Sequence, residues 1–339
     1  MKTLKRRVSL KDIAERAGVS KIVVYTVLKG KENQGIFVGK KTKEKILQIA
    51  NELGYVAPKS AKELFTGKSD SIGIICHQLT PYFSKLIESI QLEALRNGLD
   101  IIPYLKNGDW KLEEHYLNLC RDGRVDGVIT VAHTGKSVEL YKKYSNPPYN
   151  LKILSYGPPI EGIYTIHFDE EKAGRLAAQH LIQIGCKKIA FFGGSKNFGR
   201  FRGFYSYLIE KGIEPMIFME EKLVASYEAG VKLAKGFFQQ IEDVDGVFAF
   251  NDLVAAALIK QAYRHGLRIP DDLAVIGCDN TDICLYTEPS LTSIDTNIQE
   301  IAKKSINIIK KIIDGEKVPM YTKIDVNLVE RESTGKKTV

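Results

Sequence analysis

The chain has 339 residues, with 49 lysines and arginines against 41 aspartates and glutamates, and a formal net charge of +8. Apolar residues make up 44% and charged residues 27%, a composition that excludes disordered and fibrous proteins. No apolar run approaches the roughly 18 residues of a membrane span, and the basic start lacks the apolar stretch of a secretory signal. We therefore expect a cytoplasmic protein of two or three domains that does not associate with membranes.

The excess positive charge is confined to the first fifth of the chain. Residues 1–70 hold 16 Lys and Arg against 7 Asp and Glu, a net charge of +9, whereas the remainder has a net charge of −1. A small basic unit joined to a neutral body is typical of a nucleic-acid-binding head. A solvated lysine-rich tail is the alternative that charge alone leaves open.

The basic head has the residue spacing of a helix-turn-helix. Ser9 and Asp12 form a variant capping box in front of a helix predicted over 10–17, and Gly18 permits the turn that follows. Ser20 can cap a second helix over 21–28, and a third helix is expected over 42–53. Such a unit places its second helix in the major groove of DNA. Four side chains of that second helix are predicted to point outward: Lys21, Ile22, Tyr25 and Thr26.

The rest of the chain alternates between strand and helix signals. This alternation predicts parallel sheets flanked by helices, so the fold class is α/β with an all-α head. Strands are predicted over 71–77, 99–105, 126–132, 151–156, 187–194, 213–219, 245–251 and 273–279. Helices are predicted over 84–97, 113–119, 173–184, 203–211, 227–240, 254–265 and 298–313.

Motifs for catalysis, metal binding and disulfides are absent from the sequence. A G-x-x-x-x-G spacing at Gly194 and Gly199 is followed by Arg200 and Phe201, where a phosphate-binding loop needs Lys and Ser or Thr. No H-E-x-x-H, G-x-S-x-G or C-x-x-C motif is present, and the five cysteines are an odd number. We expect no enzyme activity, no cofactor and no metal site.

The order of motifs resembles the LacI/GalR family of bacterial transcription regulators. The resemblance covers nearly the whole chain, at near-family spacing. It is carried by VSLKDIAERAGVSKIVVYTVLKG, ELGYVAP, AKEL, SIGIICHQLTPYF, HLIQIGCKKIAFFGG, RFRGF, FNDLVAAALI, LAVIGCDN and EPSLTSID.

The resemblance implies a domain organisation. Residues 1–57 would form the DNA-binding domain, 58–70 a hinge helix and linker, and 71–339 a body like the periplasmic sugar-binding proteins. The body would have two lobes, the first about 71–165 and 296–323, the second about 166–295 and 324–339. The chain would cross between the lobes three times, and an effector would bind between them.

The resemblance also implies which residues contact DNA. Lys21, Ile22 and Thr26 would occupy the base-reading positions, with Ser20 and Tyr25 beside them, and Ala61 and Leu64 would lie in the hinge helix. Leu64 matches a leucine that wedges into the minor groove, although a surface leucine packing on the body is the alternative. Family members usually carry Thr where this chain has Val23, so one phosphate contact would be absent. The stretch 31–37 is also longer than usual.

The effector residues follow from the same resemblance and from strand ends, where ligands of open α/β sheets bind. They are Tyr82, Phe83, Asp169, Arg200, Asn251 and Asp279. Arginine, aspartate and asparagine around an aromatic wall suit a polyhydroxylated ring. Alternatives remain open: Phe83 as a core residue, Asp169 as a helix cap, and Asp252 and Asn280 as helix caps instead of ligand contacts.

The function that follows is a sequence-specific DNA-binding transcriptional regulator, a repressor gated by a small-molecule effector, with a sugar favoured. Its partners would be palindromic operator DNA, the effector and a second copy of itself, as a homodimer or a tetramer. A regulator of the same fold responding to a nucleobase or a protein partner is one alternative. A solute-binding protein without DNA function is the other. The effector, the operator and the direction of the response cannot be determined from the sequence.

Overall fold

The computed structural model describes residues 8–29, 37–55, 68–131, 135–220, 222–240 and 244–335. The chain divides into two units, Met1–Ser69 and Asp70–Val339, which we call the head and the body. No helix in these described ranges is long and apolar enough to cross a membrane. The predicted hinge helix lies at 58–70, and its residues up to 67 are outside the described ranges.

Three helices form the described part of the head: α1 (Leu10–Ala17), α2 (Lys21–Lys29) and α3 (Lys40–Glu52). The capping box at the start of α1 is present, since the Ser9 backbone N–H donates to the Asp12 carboxylate at 2.7 Å. Gly18 ends α1 with a φ of 72°, a left-handed conformation in which glycine is unstrained. The predicted turn between the first two helices is therefore confirmed.

The head has its own apolar core. Its buried members, drawn from α1, α2, α3 and the segment just before α3, are Ile13, Ala14, Ala17, Val24, Val27, Val38, Ile46, Ile49 and Ala50. Lys45 donates from its ammonium to the Ala17 carbonyl oxygen at 3.0 Å, which ties α3 to the end of α1. Most of these residues recur at helical spacing, which places them on one face of each helix.

The described part of the body contains twelve strands. The first five are β1 (Ser71–Cys76), β2 (Asp100–Leu105), β3 (Gly127–Val131), β4 (Ile153–Tyr156) and β5 (Tyr164–Phe168). The next five are β6 (Ile189–Phe192), β7 (Met216–Phe218), β8 (Gly246–Ala249), β9 (Ala274–Cys278) and β10 (Thr292–Asp295). The last two are β11 (Tyr321–Ile324) and β12 (Asn327–Val329).

These strands form two sheets of six. The first has the order β2-β1-β3-β4-β5-β11 and is parallel throughout. The second has the order β7-β6-β8-β9-β10-β12 and is parallel except for β12, which runs antiparallel to β10. Each sheet is the centre of one lobe, so the predicted class, α/β with two parallel-sheet lobes, is confirmed.

Helices connect the strands. They are α4 (Pro81–Arg96), α5 (Trp110–Leu119), α6 (Gly135–Ser145), α7 (Glu170–Gln183), α8 (Gly199–Glu210), α9 (Tyr227–Gln240), α10 (Asp252–Arg264), α11 (Ile283–Tyr286) and α12 (Ile298–Ile313). Five of them begin two to four residues before their predicted starts: α4, α5, α7, α8 and α10. In four of the five helices, a side chain that caps the helix sets its first residue. The capping side chains are Thr80, Asp109, Asp169 and Asn251.

Three segments of the described body cross between the lobes, near 168–170, 295–298 and 324–327. The first predicted lobe boundary, near 165, falls inside β5, so the chain leaves the first lobe a few residues later. One apolar cluster continues from the first sheet to the second, through side chains that include Tyr82, Tyr156, Phe168 and Phe250. The two lobes are thus packed against each other close to the crossings.

Candidate functional site

The outward face of α2 carries the candidate DNA contacts of the head. Lys21 is exposed, and Ile22 exposes 63% of its surface although it is aliphatic. The Ser20 hydroxyl oxygen accepts a hydrogen bond from the Val23 backbone N–H at 3.4 Å, at the start of the helix. An exposed lysine beside an exposed isoleucine offers a hydrogen-bond donor for guanine and an apolar contact for a thymine methyl.

Thr26 does not lie on that face. Its side chain is buried, and its hydroxyl donates to the Ile22 carbonyl oxygen at 2.9 Å within the same helix. The prediction that Thr26 points outward is therefore wrong, because threonine at this position turns its hydroxyl back onto the helix. Tyr25 is half-buried, as is Val23, which packs against the head core. Ala61 and Leu64 lie outside the described residues.

Arg200 is the centre of the candidate site in the body. It lies in the first turn of α8, is 6% exposed, and donates to the Phe250 carbonyl oxygen at 2.8 Å and to a Glu170 carboxylate oxygen at 3.0 Å. Its guanidinium lies over the rings of Phe250 and Phe168, at 4.5 and 5.1 Å from the centroids. Burial lowers the pKa of Arg200, but nearby anionic groups outweigh it and raise the pKa, so the residue stays charged.

Asp279 faces Arg200 from the end of β9. One carboxylate oxygen lies 3.8 Å from an Arg200 guanidinium nitrogen, which is an ion pair but is too long for a hydrogen bond. Asp279 has a φ of 116°, an unusual conformation for a residue with a side chain. Burial raises the pKa of Asp279 well above its ordinary value, although Arg200 acts in the opposite direction.

Two polar groups at this point lack hydrogen-bond partners. The Arg200 Nε–H is buried without an acceptor. No hydrogen-bond donor among the described residues reaches the Asp279 carboxylate. Buried polar groups of proteins are almost always satisfied, so the Arg200 Nε–H, beside a carboxylate that receives no hydrogen bond from the described residues, can still donate to a bound molecule.

The first lobe contributes a pair of buried tyrosines. The hydroxyls of Tyr82, in α4, and Tyr156, at the end of β4, are hydrogen-bonded to each other, and Tyr82 also accepts from the Thr296 hydroxyl at 3.2 Å. Burial raises the pKa of Tyr82, and the negative charge of Asp279 raises it further. Since Asp279 belongs to the second lobe, groups from both lobes converge here. Phe83 is half-buried and packs edge-on against Tyr82, at 5.5 Å between ring centroids.

Two predicted effector residues are helix caps in this structure. The Asn251 side-chain oxygen accepts from the Val254 N–H at 3.0 Å, and its amide donates to the Ala225 carbonyl oxygen at 2.9 Å. The Asp169 carboxylate accepts from the Lys172 N–H at 3.1 Å and pairs with Lys323 at 3.0 Å. Burial acts to raise the pKa of Asp169, but these hydrogen bonds outweigh it and lower the pKa. A direct effector contact for either residue stays a prediction.

Asp252 is not a helix cap, contrary to one alternative drawn from the sequence. Asn251 takes that position, and the Asp252 carboxylate is buried below the turn that follows β9. Asn280 is not a cap either, since its amide oxygen accepts from the Arg331 guanidinium at 2.7 Å. The sequence does not decide which of two adjacent polar residues caps a helix, because this depends on the path of the backbone.

Sequence reasoning missed four residues around Arg200 and Tyr82. Glu170, Phe168, Phe250 and Tyr156 are the omitted neighbours. Each aromatic residue ends an apolar strand run, which was the available signal. Glu170 resembled any acidic residue in the first turn of a helix, so its role appears only when α7 and α8 pack together.

The described residues contain no group of three or more His, Cys, Asp or Glu side chains arranged to hold a metal ion. All five cysteines are buried free thiols: Cys76, Cys120, Cys186, Cys278 and Cys284. Burial raises the pKa of the Cys120 thiol to about 12, which leaves it protonated and unreactive near neutral pH.

Comparisons with known proteins agree with this geometry. The family model of bacterial regulatory proteins, lacI family, matches residues 9–57, and a periplasmic binding protein-like domain matches 178–334. The ribose operon repressor of Halalkalibacterium halodurans is 28% identical over 333 residues, covering 96% of this chain and 97% of that protein. The transcriptional repressor PurR of Aliivibrio salmonicida is 26% identical over 336 residues, covering 97% and 99%.

A solved structure shows the same fold. The Lac repressor dimer bound to operator and the anti-inducer ONPF superposes with a TM-score of 0.86 at 24% identity, covering 97% of this chain and 99% of that chain. All three of these similar proteins are repressors.

Proposed function

We propose that this chain is a cytoplasmic transcriptional repressor of the LacI family, whose operator affinity is set by an uncharged sugar. Residues 9–57 match the family model of bacterial regulatory proteins, lacI family, and the ribose operon repressor is similar over nearly the whole chain. The sugar binds between the two lobes of the body, at Arg200 and Asp279. The head binds palindromic operator DNA through α2, and the protein acts as a homodimer or a homotetramer.

The observation that supports this proposal is a pair of polar groups whose hydrogen bonding is incomplete. The Arg200 Nε–H has no acceptor, and the Asp279 carboxylate has no hydrogen-bond donor among the described residues, while the two side chains lie 3.8 Å apart at their nearest charged atoms. A hydroxyl group accepts one hydrogen bond and donates another. A sugar that presents two or more hydroxyls to this point satisfies both groups at once.

The balance of charge favours a neutral ligand. One guanidinium faces two carboxylates, Glu170 at 3.0 Å and Asp279 at 3.8 Å, and the carboxylate of Asp252 lies nearby. A phosphoryl group would lie beside Glu170 and Asp279, and the raised pKa of Asp279 indicates that this buried region already disfavours negative charge. We therefore expect free sugars to bind far better than their phosphate esters.

The first experiment is a thermal-shift screen of the full chain against pentoses, hexoses, their phosphate esters and purine bases. A ligand at one hundred times its Kd stabilises the folded body by about 2.7 kcal/mol, which is readily detected. A shift with one class of free sugar supports the proposal. A shift with purines alone favours the nucleobase-responsive alternative, and a shift with phosphate esters alone or with no compound contradicts the sugar site.

Variants of two arginines on the same helix test the location of the site. Arg200→Met removes the buried guanidinium, whereas Arg202→Met removes an exposed one two residues later. We expect at least about 100-fold weaker sugar binding in the first variant and none of that loss in the second, because charge-assisted hydrogen bonds to a ligand are strong. Circular dichroism establishes that both variants are folded, and equal sugar binding by both would refute the location.

Operator binding is measured with a duplex selected from a randomised pool. Fluorescence anisotropy then gives the operator Kd with and without the sugar found in the screen. A change in Kd supports the coupling of the two functions, in either direction. Sugar binding with an unchanged operator Kd would mean that this sugar is not the effector.

A further inference from the structure

Asp252 is a buried carboxylate outside the site described above. It is the first residue of α10 and is 1% exposed. One carboxylate oxygen accepts from the Thr281 backbone N–H at 2.8 Å and from the Thr281 hydroxyl at 2.9 Å. The other accepts from the Ser293 hydroxyl at 2.6 Å. A buried anion with three donors is costly to place and is stable only where the donors are held in position.

These hydrogen bonds hold the turn that carries Asp279. Thr281 follows Asp279 by two residues, and the Ser293 hydroxyl oxygen also accepts from the Asn280 backbone N–H at 3.1 Å. The Asp279 N–H donates to the Ile294 carbonyl oxygen of β10 at 2.9 Å. Every residue from 279 to 281 is thus tied either to β10 or to the Asp252 carboxylate.

The turn needs this restraint because its backbone is strained. Asp279 and Asn280 have φ values of 116° and 50°, and residues with side chains rarely adopt such conformations. They persist when surrounding contacts impose them, and they are common at binding sites. Gly277 makes room for the restraint, since a Cβ atom there would lie 2.5 Å from an Asp252 carboxylate oxygen.

We propose that Asp252, with Thr281 and Ser293, is a positioning anchor for effector recognition. The anchor holds the strained turn so that the Asp279 carboxylate faces Arg200 before any ligand arrives. Asp252 itself touches no ligand, and its contribution is the preorganisation of Asp279. This inference rests on the proposed sugar site. It adds Asp252 as a residue that affects effector affinity without contacting the effector.

Three variants separate positioning from simple stability. Asp252→Asn removes the charge and one of the two acceptors. Thr281→Val removes the hydroxyl but keeps the backbone donor, whereas Thr281→Ser keeps both. Asp271→Asn, an exposed position in the same lobe, is the matched control. Each variant is measured as the full chain, at a temperature where circular dichroism shows it to be fully folded.

We expect Asp252→Asn to weaken binding of the sugar found in the screen by about 10- to 100-fold, because the strained turn relaxes. Thr281→Val should show a smaller loss, and Thr281→Ser and Asp271→Asn should bind like the wild type. Operator affinity without sugar should stay unchanged in all four. If folded Asp252→Asn binds the sugar with wild-type affinity, the inference is wrong. If Asp252→Asn does not fold, wild-type sugar affinity in Thr281→Val would show the same.

Hydrogen–deuterium exchange gives a readout that needs no ligand. Peptides covering residues 277–283 should exchange faster in Asp252→Asn than in the wild type, because the neutral amide keeps only one of the two acceptor oxygens that bind Thr281 and Ser293. Unchanged exchange would overturn the anchor. If the wild type binds no sugar while the exchange still accelerates, the proposed function fails and the anchor remains as a restraint on the turn.

Discussion

A buried ion pair in the first lobe allows a sharp test of the energetics of this fold. Lys106, after β2, and Glu113, in α5, have side chains that are 2% and 1% exposed, with 2.7 Å between ammonium nitrogen and carboxylate oxygen. Two side chains of α6 complete the network. Ser137 accepts from Lys106 at 3.1 Å and donates to Glu113 at 2.7 Å, and the Tyr141 hydroxyl also donates to Glu113.

The expected loss in the free energy of unfolding depends on which charge each variant leaves buried without a partner. Lys106→Met leaves the Glu113 carboxylate buried without a cation, and Glu113→Gln leaves the ammonium without an anion. Either change should lower the free energy of unfolding by about 3–5 kcal/mol. The double variant leaves no charge, and the side-chain amide introduced at position 113 can accept from Tyr141 and donate to Ser137. The double variant should therefore be within about 2 kcal/mol of the wild type.

Urea denaturation provides the assay. Trp110 is the only tryptophan of the chain and begins α5, the helix that carries Glu113, so its fluorescence reports the unfolding of this lobe. The control is a more exposed ion pair between α5 and α6, formed by Lys143 and Glu114 at 2.8 Å. Lys143→Met and Glu114→Gln should each change the free energy of unfolding by less than about 1 kcal/mol.

The double-mutant cycle decides the outcome. We expect a coupling energy of at least about 4 kcal/mol for the buried pair and much less for the exposed pair. Single variants of Lys106 or Glu113 that lose less than about 1 kcal/mol would refute the reasoning. A double variant less stable than both singles would also refute it, since the pair would then contribute through contacts other than charge.

Three further outcomes are expected. Lys21→Ala should weaken operator binding, because Lys21 is expected to contact a base. If the substitution also reduces the slope of log affinity against log salt by about 0.9, Lys21 contacts a phosphate and not a base. Gly203→Ala should destabilise the body by about 1–3 kcal/mol or more in a urea titration, because its Cβ would lie 1.9 Å from the Glu171 carbonyl oxygen and force α7 and α8 apart; wild-type stability would contradict this. Burial lowers the pKa of His180, whose ring is hydrogen-bonded to Thr334 at 2.8 Å, so the unfolded chain takes up a proton first as pH falls through about 6.5. Stability should therefore decline below that pH, and less steeply in His180→Gln; identical pH profiles would exclude a contribution from this histidine.

Apolar periodicity was enough to predict the helices of the head and the alternation of strands and helices in the body. The first helix has the predicted bounds 10–17, and the last helix the predicted bounds 298–313. Both have strongly one-sided apolar faces, so local sequence and tertiary packing require the same structure. Capping residues were visible in the sequence as well, but which of two adjacent polar residues caps a helix, Asn251 or Asp252, depends on the path of the backbone.

The candidate site also combines features that the sequence predicts with features that only the tertiary structure shows. The family resemblance and the position at strand ends predicted Arg200 and Asp279 among six effector residues, since parallel strands bring their carboxyl ends to one edge of the sheet. Only the tertiary structure placed Glu170 and two aromatic rings around that arginine, and only it showed Thr26 buried. Burial, unsatisfied donors and strained backbone are properties of packed neighbours distant in sequence, so they cannot be deduced from the order of the residues alone.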